Sequence, residues 1–481
     1  MSAAPLWTID AMAEAMGAGP QGGLPAHVTG LSIDTRTIQN GEAFFALKDA
    51  RDGHEFVEAA LKAGGGLAVV AADKAAMFPK DTPLLIVPDV LEGLTALARA
   101  ARARSAAKFI GVTGSVGKTG TKEALRLALS SDGETHASAA SYNNHWGVPL
   151  SLARCPASAK YAVLEMGMNH ANEIAPLTKL VRPHVAIITT IEPVHLEFFA
   201  SVEAIADAKA EIFQGIEPGG AAVINRDNPH FARLQKQAKA AGVGRIVSFG
   251  ENTKADARLM KFALQADSST VQARILGADV TYKLGAPGRH VVWNSLAVLA
   301  AATLAGADLA LAALALANLA PPTGGRGERI ALELPGGTAL LIDESYNANP
   351  ASMQAALALL GQAPLGPRGR RIAELGEMLE LGPHGAELHR GLTGPVVENS
   401  VDLVFCAGPL YRDFWEALPS ERRGGYAVTA AALEADVLGA LRAGDAVMIK
   451  GSLGSKMGPL VKALTRQFVS HGAREAVSAR G

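Results

Sequence analysis

Residues 108–129 read "KFIGVTGSVGKTGTKEALRLAL". A short apolar run passes through a glycine loop into a helical pattern with Leu125, Ala128 and Leu129 on one face. Further apolar runs follow, "YAVLE" (161–165), "HVAIITTI" (184–191) and "GAAVIN" (220–225), with helical patterns between them. Strand, loop and helix in repetition predict an α/β fold built on a mostly parallel sheet with helices on both faces.

The chain of 481 residues is too long for one ordinary core, and about two to four domains are expected. Before residue 106 the short runs "GEAFFAL" and "GLAVVAA" lie between glycines and charged turns and end in the helical stretch "LTALARAARARSAA". A Pro-Pro-Thr-Gly-Gly stretch at 321–325 punctuates the chain, and the pattern restarts with "ALLIDE", "RRIAEL", "VDLVFC" and "DAVMIK". Three α/β domains are therefore expected: a small one over 1–105, a central parallel-sheet domain with the glycine loop over 106–320, and a third over 321–481.

The loop reads Thr113-Gly114-Ser115-Val116-Gly117-Lys118-Thr119-Gly120. It is shorter than the commonest phosphate loop, which would put a glycine at Val112. Glycines let successive N–H groups approach a phosphate, and a helix that starts near Lys118 aims its positive end at the same point. Lys118 adds a mobile charge and Thr119 a hydroxyl for magnesium. Glu165 ends a strand, where ligands of open parallel sheets collect, and a carboxylate there suits the same ion. His195 lies just past another strand. In "SVEAIADAKAEIFQGI" the residues Ile205, Ile212, Phe213 and Ile216 form one apolar face, and Lys209 sits among them. An inward lysine either snorkels out or works in a site.

Composition excludes several classes. The formal net charge is -1 with no long basic run, which gives nucleic-acid binding no support. Cys155 and Cys406 lie far apart without metal-ligand spacing, and "MSAAPLWTIDAMAEAMG" has no basic head before an apolar run, so a cytoplasmic location is expected. Residues 291–320 are long and apolar but rich in alanine, and Gly306 and Asp308 interrupt them. Two short buried helices with an N-cap at Asp308 are expected there, not a membrane span.

"TGSVGKTGTKE" resembles the loop of the Mur ligases, ATP-dependent amide-forming enzymes of peptidoglycan precursor synthesis. Thr121-Lys122 after Gly-Lys-Thr looks most like the member that adds D-alanyl-D-alanine to UDP-N-acetylmuramoyl-tripeptide. The likeness runs along nearly the whole chain. "SIDTRTIQNGEAFFALKDARDGHEF" resembles a uridine-binding segment, which implies substrate contacts at Thr35 and Arg36. "YNNHWGVPLSL" implies the same for Asn143 and Asn144, and "DESYNANP" for Asn347 and Asn349. "LEMGMNHANEI", "HLEFF" and "ADAKAEIF" match the family at Glu165, His195 and Lys209, while "GRHVVWNSLAVLAA", "GGRGER" and "ALLIDE" imply ATP contacts at Asn294, Arg326 and Asp343. "LGEMLELG" and "IKGSLGSKM" match the C-terminal domain. The chain departs from the family pattern at Leu453, Gly458, Asn172 and Glu374.

The resemblance implies a UDP-binding first domain, an ATPase second domain and a Rossmann-like third. ATP phosphorylates the peptide carboxylate and the amine then attacks the acyl phosphate. Lys118, Glu165, His195 and Lys209 are the expected catalytic set. Two magnesium ions are implied, with Thr119, Glu165 and His195 as ligands, and Lys209 is expected to be carbamylated as in related ligases. A monomer suffices. Other readings are a diaminopimelate- or lysine-adding ligase, folylpolyglutamate synthase, a small-molecule kinase and a nucleotide switch.

Overall fold

The glycine loop leaves the strand Lys108–Thr113 at the one place in its sheet where the chain order reverses. On one side lie Tyr161–Glu165 and then Thr135–Ala137; on the other lie Val185–Ile188, Ala221–Asn225 and Arg245–Gly250, all parallel. Such a switch point opens a crevice beyond the carboxyl ends of the strands. The computed structural model describes residues 5–139, 141–321 and 324–469. Pro322 and Thr323 of the punctuating stretch, and residues 1–4 and 470–481 at the ends of the expected first and third domains, lie outside the described residues.

The central sheet has nine strands. Its far edge is an antiparallel meander, Ala257–Leu264, Ser269–Ile275 and Ala278–Leu284, that the strand–loop–helix reading did not anticipate. The meander alternates buried and exposed residues, with Ser269, Val271, Ala273 and Ile275 turned inward. That period of two marks a half-covered sheet and differs from the continuous apolar runs of the parallel strands. The expected strand over 184–191 ends at Ile188, because Thr189 and Thr190 leave the ladder to bond the glycine loop.

The apolar stretch forms two helices, Arg289–Leu304 and Leu309–Ala315. The second is capped by the Asp308 side chain, which accepts from the Leu311 N–H at 2.9 Å. Gly306 makes the break with φ 91°. No helix among the described residues is long and apolar enough to cross a membrane.

The first ~105 residues carry a five-stranded sheet, mostly parallel, from Gly19–Gln21 to Leu84–Val87. The helix Val90–Arg104 buries Leu94, Leu97, Ala98 and Ala101. It does more than connect: these residues belong to one core with Phe109, Val148, Leu152 and Val181 of the central sheet's surroundings. The last sheet has six strands, of which Gly337–Glu344, Ala446–Lys450, Arg371–Gly376, Leu403–Ala407 and Arg423–Ala427 run parallel. Its two faces form cores of their own. At Asn172 the backbone takes φ 68°, a conformation glycine enters freely and asparagine tolerates better than most, so the departure from the family's glycine is accommodated.

Candidate active site

Two glycines of the loop admit no side chain. A Cβ on Gly114, at φ 147°, would lie 1.9 Å from Thr189 Oγ1, and one on Gly117, at φ 83°, would lie 2.6 Å from Asn294 Nδ2. The neighbouring segment clamps the loop: Thr189 Oγ1 donates to the Val116 carbonyl at 2.5 Å, and the N–H groups of Ser115 and Glu192 donate to Thr190 O and Ser115 Oγ, each at 2.9 Å. Gly117 is the residue before the helix Lys118–Ser130, so the helix's free N–H groups open onto the loop.

Lys118 Nζ donates to the Gly114 carbonyl at 2.8 Å and to that of Ser115 at 3.4 Å. Burial lowers its pKa; the Glu165 carboxylate opposes that shift and the Arg326 charge adds to it. Glu165 is 1% exposed and engages both oxygens. It accepts from Thr119 Oγ1 at 3.0 Å and from Asn143 Nδ2 at 2.8 Å. A buried carboxylate, a hydroxyl and a lysine thus converge at the helix start.

These groups open into a cavity of about 1020 Å³ that both the central and the last sheet line. Of the residues singled out from the sequence, Ser115, Val116, Gly117, Lys118, Thr119, Gly120, Asn143, Glu165, His195, Asn294, Arg326, Asn347 and Asn349 line it. Arg326 reaches from the linker to donate to Ser141 Oγ at 2.7 Å, with its guanidinium 4.0 Å from the centre of the Tyr346 ring. Asn349 spends its side-chain oxygen on the N-cap of the helix Pro350–Gly361, where it accepts from the Ser352 N–H at 2.9 Å. The Asn347 side chain accepts from the Ala348 N–H.

Other residues lie outside the lining. Thr113 is buried and its hydroxyl finds no partner among the described residues, while Gly114 lies behind the loop. Asp343 is buried and accepts from the Ser345 N–H at 3.0 Å. Asn144 accepts from the Gly147 N–H at 2.9 Å. Arg36 is exposed and forks onto Asp34, with Nη2 to Oδ2 at 2.5 Å, beside half-buried Thr35. Lys209 lies 1% exposed in the helix Val202–Ala210, and burial first, then the charge of Lys118, drives its pKa well below the ordinary lysine value.

Some groups of the cavity had no role assigned from the sequence, although Glu380, Glu344 and Lys450 lie inside matched segments. His195 is in contact with Glu380 from the segment after Arg371–Gly376, and that contact holds the Glu380 carboxyl below its ordinary pKa. Lys450 is buried and pairs with Glu344 at 3.1 Å at the cavity wall. Burial raises the pKa of Glu192, another lining residue. Only the fold brings these partners together across 100 residues or more in the first two pairs. Lys122, by contrast, stays out of the cavity and donates to the Ser138 carbonyl at 2.7 Å. Among the described residues no three His, Cys, Asp or Glu side chains gather as a ready metal site.

Residues 112–302 match the Mur ligase middle domain, and residues 325–453 match the Mur ligase glutamate ligase domain. The chain is 31% identical over 431 residues to a UDP-N-acetylmuramoyl-tripeptide–D-alanyl-D-alanine ligase of Rickettsia prowazekii, covering 90% of this chain and 94% of that one. It is 32% identical to the ligase of the same name in Bacillus subtilis, over 92% and 94% of the two chains. The fold matches a crystal structure of MurF from Acinetobacter baumannii with TM-score 0.81 and 28% identity, over 96% of this chain and all 100% of that one. A MurF ligase from Thermotoga maritima in complex with ADP matches with TM-score 0.72 and 25% identity, over 91% and 97%.

Proposed function

The chain belongs to the Mur ligase family, and on that premise we propose that it joins D-alanyl-D-alanine to UDP-N-acetylmuramoyl-tripeptide, driven by ATP. The similarity to ligases named for this reaction runs through at least nine-tenths of the chain. The observation that carries the reading is the cavity itself, where a phosphate loop faces polar groups of a second α/β sheet. That arrangement suits a reaction in which nucleotide, carboxylate and amine must meet.

A carboxylate resists attack by an amine because its oxygen leaves poorly. One carboxylate oxygen of the peptide therefore takes the γ-phosphoryl group of ATP, and ADP leaves. The amine of D-alanyl-D-alanine then bonds the carbonyl carbon, inorganic phosphate departs with the oxygen, and the nitrogen loses a proton. The chain positions the partners and neutralises charge. The loop N–H groups and Lys118 hold the phosphates; an anion displaces the two neutral carbonyls that Lys118 now bonds. Asn294 and Arg326 flank the nucleotide; Asp343 lies off the cavity lining, and its assignment to the ribose rests on the family resemblance alone. Asn143, Asn347 and Asn349 contact the peptide substrates and Thr35 and Arg36 the UDP end, while Asn144, off the cavity lining, is assigned to the substrate by the family resemblance alone.

Thr119 and Glu165 fit magnesium, an ion held by one or two carboxylates plus substrate phosphates that keeps several waters. Two such ions belong to the reading, the second beside Glu165 and His195; when bound they offset the repulsion between phosphate and carboxylate. Lys209 suits carbamylation, since burial and the Lys118 charge disfavour its ammonium form and the uncharged amine is the form that adds carbon dioxide. Its nitrogen bonds the carbon of carbon dioxide and loses one proton to solvent, so the uncharged amine becomes an anion. The enzyme is read as a cytoplasmic monomer, in keeping with two buried free cysteines.

The test is phosphate release from ATP and magnesium with the two substrates added singly and together. Release that needs both, with a pentapeptide product by mass, supports the assignment. Release with another amine moves the chain to a different Mur ligase, and a stable phosphate ester moves it to a kinase.

A further inference from the structure

The segments that follow the strands Val185–Ile188 and Arg371–Gly376 meet across the cavity, although they belong to different sheets. His195 on the first and Glu380 on the second both line it. Nδ1 of His195 lies in hydrogen-bond contact with Oε2 of Glu380. Two residues on, the Glu197 N–H donates to the Glu380 carbonyl at 3.1 Å. Both His195 and Glu380 hold left-handed backbone, with φ 55° and φ 62°. That conformation is uncommon for residues with a Cβ and tends to persist where surrounding structure imposes it, often at sites of function. Here it occurs on both sides of one contact.

We propose that Glu380 is a positioning residue for His195, supplied to the active site by the C-terminal sheet. A carboxylate accepts only, so Nδ1 of His195 carries the proton it donates. In neutral imidazole the other nitrogen, Nε2, then keeps its lone pair, free to take a proton or a cation. His195 is set for work only while the C-terminal sheet is docked against the central one. The side chains are 26% and 41% exposed, and a contact so open to water adds little to stability. Its removal therefore leaves the fold intact and acts on His195. This inference rests on the reading of His195 as a working residue of the cavity.

The experiment uses the full chain with ¹⁵N-labelled histidine, and long-range proton–nitrogen correlation assigns the His195 signal by its loss in His195→Gln. The expected tautomer is Nδ1–H in the native protein and Nε2–H, or a mixture, in Glu380→Ala. In the same variant kcat falls about ten- to hundredfold, the usual cost of losing a residue that orients a working histidine, while KM for ATP and for the nucleotide peptide moves far less. Glu380→Gln keeps an acceptor oxygen and recovers part of kcat. An unchanged tautomer in Glu380→Ala overturns the proposal, as does an unchanged kcat. Full turnover in His195→Ala overturns the underlying reading of His195 instead, and that result does not depend on Glu380.

Discussion

Glu374 is the most exposed to test of the single residues, because it is the least comfortable. It lies fully buried in Arg371–Gly376, opposite Phe405 and Ile449, and neither carboxyl oxygen has a partner among the described residues. Burial pushes its pKa from 4.5 up to about 8. The folded chain therefore keeps a proton that the unfolded chain has lost across that window. Its contribution is whole below the unfolded pKa and fades as pH rises from 4.5 to about 8, by an upper limit of roughly 5 kcal/mol at about 1.4 kcal/mol per unit. Thermal melts of the native chain should drop between pH 5 and pH 8, and Glu374→Leu should melt higher with a flatter pH profile. Equal profiles would remove the buried acid from the account. Lys209 calls for a different assay. Lys209→Ala should lose most turnover, and the native enzyme should slow when bicarbonate is stripped from the buffer; loss without bicarbonate dependence argues against the carbamate. His195→Ala should lower kcat more than it raises KM for ATP.

At the scale of elements, the helix Val90–Arg104 shows how far the sequence could be read. Its body was legible from Leu94 onward but its start was not, where Asp89 accepts from the Glu92 N–H at 2.8 Å as an ordinary N-cap. Its packing role was not legible either, because nothing in the arginine-bearing stretch sets Arg102 apart from its neighbours. In the structure Arg102 is 8% exposed, donates to the Val181 carbonyl at 2.8 Å and to Glu217 at 2.9 Å, and its guanidinium lies 4.3 Å from the centre of the Phe109 ring. Arg102→Ala strips the Val181 carbonyl of this donor and leaves Glu217 with Arg182 alone, at 2.6 Å, and a loss of about 3 kcal/mol is expected, the lower end of the scale for breaking a buried pair. Glu217→Gln, which keeps an acceptor, should cost less; chemical denaturation measures both. The same contrast runs through the site. Thr119, Glu165 and the glycines were legible since each follows a strand or opens a helix at fixed spacing. Glu380, Glu344 and Lys450 stood inside matched segments, but their pairings were not legible, since the partners come from other segments and leave no local spacing. The antiparallel meander escaped for a related reason: its alternation is half polar and reads weakly beside continuous apolar strands.

Across the whole molecule, cores do not follow the sheets one for one. The first unit and the central sheet share a core that runs from Trp7 through Leu94 and Phe109 to Ala238, whereas the last sheet keeps its two cores to itself. Two calorimetric transitions are expected in the absence of ligands, one for the last sheet and one for the rest. ATP with magnesium, bound to groups on both sides of the cavity, should bring the two together. A single transition without ligand would mean that the contacts around His195 and Arg326 couple the sheets more tightly than their number suggests. The shared core also bears on how the chain is made. Trp7 donates its indole N–H to the Ala153 carbonyl at 2.9 Å, and the inner face of Val90–Arg104 rests on residues up to Val181. A ribosome that has released only the first hundred residues has released an unfinished core. The nascent chain must hold that greasy face uncovered until the central strands emerge, and in that interval it is a client for a chaperone.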